Sequence, residues 1–273
     1  MKPKEFIFKF FSDYIYKEVG IVYQAHDQYR LETRLNTIQK TLNLNSLDEV
    51  YDLFANGANK EQKQLLTNIS TNNETYFMRD QKPFKALGQV IIPELLKDLK
   101  NFKINIWSAG CSTGQEVCSM LMAIDNFSGA EALSRIQIDA TDISSQALDK
   151  AKKGIYDGLE VQRGLPAPYL IKYFNQKEDA SWIFNEKIHG RANFKEFNLL
   201  TGNFPKDLYH VIFCRNVLIY QDMSNRTKIL AQFLQALKPN GYLFMGSGES
   251  MIGTKLSFKQ ESVTDAMVFR KAG

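Results

Sequence analysis

The residues that could do chemistry in this chain sit just after short apolar runs. Ile104, Ile106 and Trp107 form one such run; Gly110 and Gly114 break it, and Gln115 to Ile124 then carries apolar residues at helical spacing. A strand, a glycine turn and a helix in that order bring backbone N–H groups and the positive helix end to one sheet edge, with Ser112 or Thr113 expected as the helix cap. Gly110 and Gly114 stand four apart, so the G-x-G-x-x-G fingerprint for a diphosphate is absent. A ligand with ribose and no phosphate suits the turn better. A second run, Ile136 to Ala140, ends in Thr141 and Asp142, which places a carboxylate where ribose hydroxyls would need an acceptor. Glu116, just inside the first helix, is a second acceptor. A third run, Tyr209 to Cys214, ends at Arg215 and Asn216, with Tyr220 one turn later. Taken singly, the turn is an ordinary strand-to-helix connection and Asp142 an ordinary cap; together they specify a ribose site.

Other chemistries are disfavoured. Cys111, Cys118 and Cys214 are odd in number and lack metal-ligand spacing, so neither a disulfide framework nor a metal is expected. His26, His189 and His210 fall in no motif and read as structural or surface residues. The net charge of +4 is mild for a nucleic-acid binder and leaves room only for a local basic patch. No run of about eighteen apolar residues occurs, and lysines interrupt the aromatics of Met1 to Phe10, unlike a signal peptide. A cytoplasmic monomer without membrane insertion is expected.

The elements that must hold these residues follow from periodicity. Residues 1–72 read as a helical domain, with stripes at Phe6, Phe10, Phe11, Tyr14 and Ile15, at Leu31, Leu35, Ile38 and Leu42, at Leu47, Val50, Tyr51 and Phe54, and at Leu65, Leu66 and Ile69. Arg30 and Arg34 are spaced to form a ridge, and a solvated face paired through Asp27 and Glu32 is the simpler reading. Residues 73–82 form a polar linker. Residues 83–273 form an α/β domain: an amphipathic helix over Pro83 to Leu99, the two strands above, a helix from Ser144 to Lys152, and a small β insertion over about 155–197 that includes strands at Ser181 to Phe184 and Asn193 to Phe197. An amphipathic helix from Asp222 to Leu237, a strand from Gly241 to Met245 and a hairpin of Ser257 to Gln260 with Ala266 to Arg270 complete it. The fold class is α/β, a doubly wound Rossmann-like sheet. Its final antiparallel hairpin marks it as methyltransferase-like rather than dehydrogenase-like.

NETYFMRD (Asn73 to Asp80), WSAGCSTGQE (Trp107 to Glu116), ATDIS (Ala140 to Ser144), KGIY (Lys153 to Tyr156), RGL (Arg163 to Leu165), FNLL (Phe197 to Leu200), FCRNVLIY (Phe213 to Tyr220) and LKPNGYLFMGSGES (Leu237 to Ser250) occur in one order. That order resembles the CheR-type chemotaxis receptor methyltransferases over nearly the whole chain. The resemblance implies a class I methyltransferase that uses S-adenosylmethionine, releases S-adenosylhomocysteine, and methylates glutamates on the cytoplasmic helices of chemoreceptors. Carried over by position, it implies cofactor contacts at Asn73, Thr75, Arg79, Ala109, Glu116, Asp142, Asn198, Leu199, Arg215 and Asn216. It makes Arg79 and Tyr220 the pair that orients the accepting carboxylate. Val117 and Cys118 depart from the family's usual Pro-Tyr. Only NQKEDAS separates Phe174 from Trp182, which resembles members that need no receptor C-terminal pentapeptide. Three rivals stand beside this reading: a methyltransferase with another acceptor, a non-catalytic module that senses the cofactor or its product, and a nicotinamide-dependent oxidoreductase. The missing fingerprint counts against the last.

Overall fold

The computed structural model describes residues 2–99 and 102–272, so Met1 and Gly273, the outer limits of the expected domains, lie outside the described residues. Four helices open the chain: α1 (Lys4–Val19), α2 (Gln28–Thr41), α3 (Leu47–Ala55) and α4 (Lys60–Ser70). Ser46 accepts the Glu49 N–H at the start of α3, and Asn59 with Gln62 forms a capping box on α4, which fixes where both helices begin. Their core is Ile7, Phe8, Phe11, Ile15, Leu31, Leu35, Ile38, Val50, Phe54 and Leu66. The buried stripe of α1 differs from the expected one: Ile7, Phe11, Ile15 and Val19, four apart, point inward, while Phe6 is 50% exposed and lies against Tyr51.

The expected helix over Pro83 to Leu99 is instead α5 (Lys82–Ala86), a π turn (Leu87–Ile91) and α6 (Ile92–Leu99). Within that turn Ile92 donates to the Leu87 carbonyl, so the next donor in the pattern would be Pro93, which has no N–H. The Gly88 carbonyl takes the Ser128 hydroxyl at 2.6 Å instead. Gly88 also lies so close to the Ala123 carbonyl that a Cβ would come within 2.6 Å.

The sheet alternates with helices: β1 (Ile104–Ala109), α7 (Gln115–Ser134, interrupted at Gly129), β2 (Ile136–Asp142) and α8 (Ser145–Lys153). There follow β3 (Ile155–Tyr156), α9 (Gly158–Gln162), α10 (Ala167–Tyr173), β4 (Phe174–Gln176), β5 (Trp182–Phe184), α11 (Glu186–His189) and β6 (Ala192–Glu196). The chain closes with β7 (Tyr209–Cys214), α12 (Met223–Ala236), β8 (Leu237–Met245), β9 (Phe258–Val263) and β10 (Ala266–Lys271). Seven strands run in the order β6-β2-β1-β7-β8-β10-β9, parallel from β6 to β8, with β10 antiparallel to both its neighbours. Thr264 and Asp265, both at positive φ, turn the final hairpin. Ala192–Glu196, expected inside the small insertion, instead extends the main sheet by pairing with β2. Its exposed, charged edge pattern disguised it. The separate small sheet is β3-β5-β4. Among the described residues no helix is long and apolar enough to cross a membrane.

Candidate active site

An open cleft lies over the carboxyl ends of β1, β2 and β7 and under the loop that follows α1. Asn73, Thr75, Arg79, Glu116, Asp142, Asn198, Leu199, Arg215, Asn216 and Tyr220 all line it, so ten positions separated by up to 147 residues meet in one cavity. Ala109 does not reach the wall. It is fully buried in the layer of Trp107 and Ile212, and Gly110 takes its place at the surface of the cleft.

The glycine turn is shaped by contact and conformation together. Gly110 has φ +84, and a Cβ there would meet Val217 at 2.4 Å; Gly114 has φ +95, and a Cβ there would meet the Tyr156 hydroxyl at 2.9 Å. Gly110 and Cys111 both donate to the Thr141 carbonyl, which holds the turn against the end of β2. Neither Ser112 nor Thr113 caps α7. Gly114 occupies the cap position in the left-handed region without a side-chain bond, the Ser112 hydroxyl donates to the Asn73 carbonyl at 2.8 Å, and Thr113 donates to Gln115. Asp142 is buried and accepts the Ser112 N–H at 2.8 Å on one oxygen and the Ser144 N–H at 2.9 Å on the other. Burial pushes its pKa up, against the pull of those backbone donors. Each oxygen keeps acceptor capacity for a hydroxyl.

Arg215 is committed to the protein. Its buried guanidinium donates to Glu116 at 3.2 Å, to Asp80 at 2.8 Å and to the Arg79 carbonyl at 2.8 Å, and lies 5.4 Å from the Phe84 ring centre. It therefore buckles the polar linker to α7. Glu116 also accepts the Ser108 hydroxyl at 2.8 Å; burial raises its pKa while Arg215 and Ser108 lower it. Asn216, at φ +60, begins a loop that Glu249 holds from beneath. Glu249 accepts the backbone N–H groups of Gly246, Asn216, Leu218 and Ile219 at 2.6 to 3.3 Å. Sequence reasoning missed this residue, although it lies in a segment that the family resemblance covers.

The linker is part of the core. Phe77 is buried edge-on to Tyr156 and Phe174, and the Met78 N–H donates to the Ser119 hydroxyl. Met78 and Asp80 take positive φ, which only such anchoring sustains. Polar neighbours are thereby turned to the cleft. Arg79 donates to the Glu74 carbonyl at 3.2 Å, lies 5.5 Å from the Tyr76 ring centre, and among the described residues forms no ion pair. Asn72, also at the wall, donates from Nδ2 to the Tyr220 hydroxyl at 2.7 Å.

The N-terminal helices and the loop after α1 close the far side. Asn198 donates to the Glu18 carbonyl at 2.8 Å, Gln221 donates to the Val19 carbonyl at 3.1 Å, and the Val22 N–H donates to the Tyr220 carbonyl at 3.3 Å. Arg30 pairs with Asp27 as expected of a solvated face. Arg34 departs from that face: it turns inward to the Tyr23 hydroxyl and ring, and burial lowers its pKa. His26, His189 and His210 lie off the cleft wall, and among the described residues no cluster could hold a metal.

These donors and acceptors fit S-adenosylmethionine. Asp142 offers acceptors for ribose hydroxyls, Ile143, Phe197 and Leu199 offer apolar surface for a base, and Arg215, the cation bonded to the helix that follows the glycine turn, is already neutralised by Asp80 and Glu116 rather than left for a phosphate.

A family model described as CheR methyltransferase, SAM binding domain, matches residues 73–267. Chemotaxis protein methyltransferase 1 of Pseudomonas aeruginosa is 34% identical over 266 residues, covering 96% of this chain and 97% of that protein. Chemotaxis protein methyltransferase Cher2 of Pseudomonas putida is 32% identical over the same shares. Among solved structures, a TehB-like SAM-dependent methyltransferase from Corynebacterium glutamicum covers 82% of this chain and 95% of its own at 14% identity, with a TM-score of 0.39.

Proposed function

The chain belongs to the CheR family of S-adenosylmethionine-dependent chemotaxis methyltransferases, and from that premise we propose that it methylates glutamate side chains on the cytoplasmic helices of chemoreceptors, giving methyl esters. The observation that carries this reading is the difference between the two arginines of the cleft. Arg215 is paired with Asp80 and Glu116, whereas Arg79 lines the same cavity with no carboxylate within ion-pair distance among the described residues. A cation left free at a cleft mouth suits an anionic acceptor.

When bound, S-adenosylmethionine supplies an electrophilic methyl on a sulfonium. Asp142 would hold its ribose, Ile143, Phe197 and Leu199 its base, and Asn73, Thr75 and Glu116 its amino-acid end. The acceptor needs no general base, because a glutamate with an ordinary pKa of about 4.3 is already ionised at neutral pH. The protein's work is alignment and exclusion of water, since opposite charges disappear in the transition state and a drier site favours it. Arg79 orients one carboxylate oxygen and leaves the other to attack.

The connection from Phe174 to Trp182 is short and holds no glycine. That shortness is what supports pentapeptide-independent recognition of the receptor.

The test is to incubate the protein with methyl-labelled cofactor and a receptor cytoplasmic fragment, then treat the product with alkali. Label released as methanol supports an ester on glutamate; alkali-stable label would assign a different acceptor. In the same preparation, calorimetry with a receptor C-terminal pentapeptide should show no binding, and measurable binding would overturn the pentapeptide reading.

A further inference from the structure

We propose that Asn72 is a positioning residue that aims the Tyr220 hydroxyl proton at the acceptor carboxylate; the inference rests on the function proposed above. Asn72 Nδ2 donates to the Tyr220 oxygen at 2.7 Å, and both residues line the cleft. A phenol has one proton to give. With its oxygen receiving a hydrogen bond from Asn72, that proton is free for a group entering the cavity, and the oxygen that gives it is polarised by the bond it receives. An acceptor at position 72 would do the reverse and draw the proton away from the cleft.

The Asn72 side chain is exposed, and the backbone around both partners is held. Asn72 follows Thr71, whose N–H donates to the Thr67 carbonyl and whose hydroxyl donates to the Asn68 carbonyl, and precedes Asn73, whose carbonyl accepts the Ser112 hydroxyl. The backbone of Tyr220 is fixed by Val22 and, through Leu218 and Ile219, by Glu249. The bond thus joins the segment that carries Arg79 to the loop that carries Tyr220, the two groups that face the acceptor. It sets one against the other.

The polarity of the bond is testable with Asn72→Ala, which removes the donor, and Asn72→Asp, which replaces it with an acceptor. Steady-state methylation of a receptor fragment should show kcat reduced several-fold in the first and by about 10-fold or more in the second, with the receptor KM and the affinity for S-adenosylhomocysteine changed less than about twofold in both. In a Tyr220→Phe background Asn72→Asp should reduce kcat no further, because its effect runs through the tyrosine proton. Equal kcat in wild type and both variants overturns the proposal. So does an Asn72→Asp effect that persists without the tyrosine hydroxyl, which would be plain charge repulsion. A wild-type chain that transfers no methyl to the receptor fragment overturns the proposed function and this inference together, whereas an active wild type with insensitive variants overturns this inference alone.

Discussion

Arg79 and Asp142 line one cleft and do separable work, and kinetics should separate them. Among the described residues the Arg79 side chain makes a hydrogen bond to a backbone carbonyl and a ring contact, so its removal strands no buried partner there. Arg79→Ala should therefore lower kcat by about 100-fold or more while S-adenosylhomocysteine binds within about threefold of wild type. Asp142 is the opposite case. It is buried, staples the glycine turn through the Ser112 and Ser144 N–H groups, and in the proposed reading would offer the acceptors for ribose. Asp142→Ala should weaken calorimetric binding of S-adenosylhomocysteine by roughly 10- to 100-fold, on the scale of one or two lost charge-assisted hydrogen bonds. Unchanged turnover in the arginine variant would remove its role as the orienting cation, and unchanged binding in the aspartate variant would move the ribose elsewhere. That Asp142 belongs to the cleft was legible in the sequence because an apolar run ended in it. Its second duty was not, because the Ser112 N–H that it accepts lies thirty residues away.

The loop Asn216 to Tyr220 depends on one buried carboxylate. Glu249 accepts four backbone N–H groups, three from this loop and one from Gly246. Removing it leaves those donors without partners, two of them, on Leu218 and Gly246, buried from water, so Glu249→Ala should lower the unfolding free energy by about 3 kcal/mol in urea titration. Turnover should fall further than product affinity, because Tyr220 rides on the loop. A variant with wild-type stability would show that water or another side chain takes over the donors. Element-level reading succeeded where a pattern was local: the glycine turn, the strand ends at Asp142 and Arg215, and the closing hairpin each announce themselves within a few residues. It failed where the deciding partner was remote. Ala192–Glu196 looked like part of an insertion until β2 paired with it, and the π turn follows from Pro93 together with a serine on another helix. Ser112, a good cap by type, is drawn off by the Asn73 carbonyl.

At the scale of the whole molecule the chemistry sits at one end of the sheet and a titratable group of stability sits at the other. The cleft lies between the end of α1 and the carboxyl edge of the sheet, so a chain whose family match covers residues 73–267 still has Val19 and Ile21 at its wall. At the opposite edge His210, in β7, is buried and accepts the Asn105 N–H on Nδ1 at 3.0 Å, beside a hollow shared with Lys238 and Arg270. Burial, with Lys238 nearby, pushes its pKa down to about 4 from an ordinary 6.5. Between those values the unfolded chain binds a proton that the folded chain refuses, so this residue makes stability fall as pH drops from 6.5 toward 4 and contributes nothing to the slope above that window. Asp142 and Glu116 act with the opposite sign, since burial raises both and protonation favours their folded state. A raw stability curve therefore mixes the two. Comparison with His210→Asn isolates the first, because asparagine can still accept the Asn105 N–H but does not titrate. That variant should show a flatter loss of urea midpoint between pH 6.5 and 4, with methyl transfer at neutral pH unchanged; parallel curves would mean that His210 protonates in place without cost.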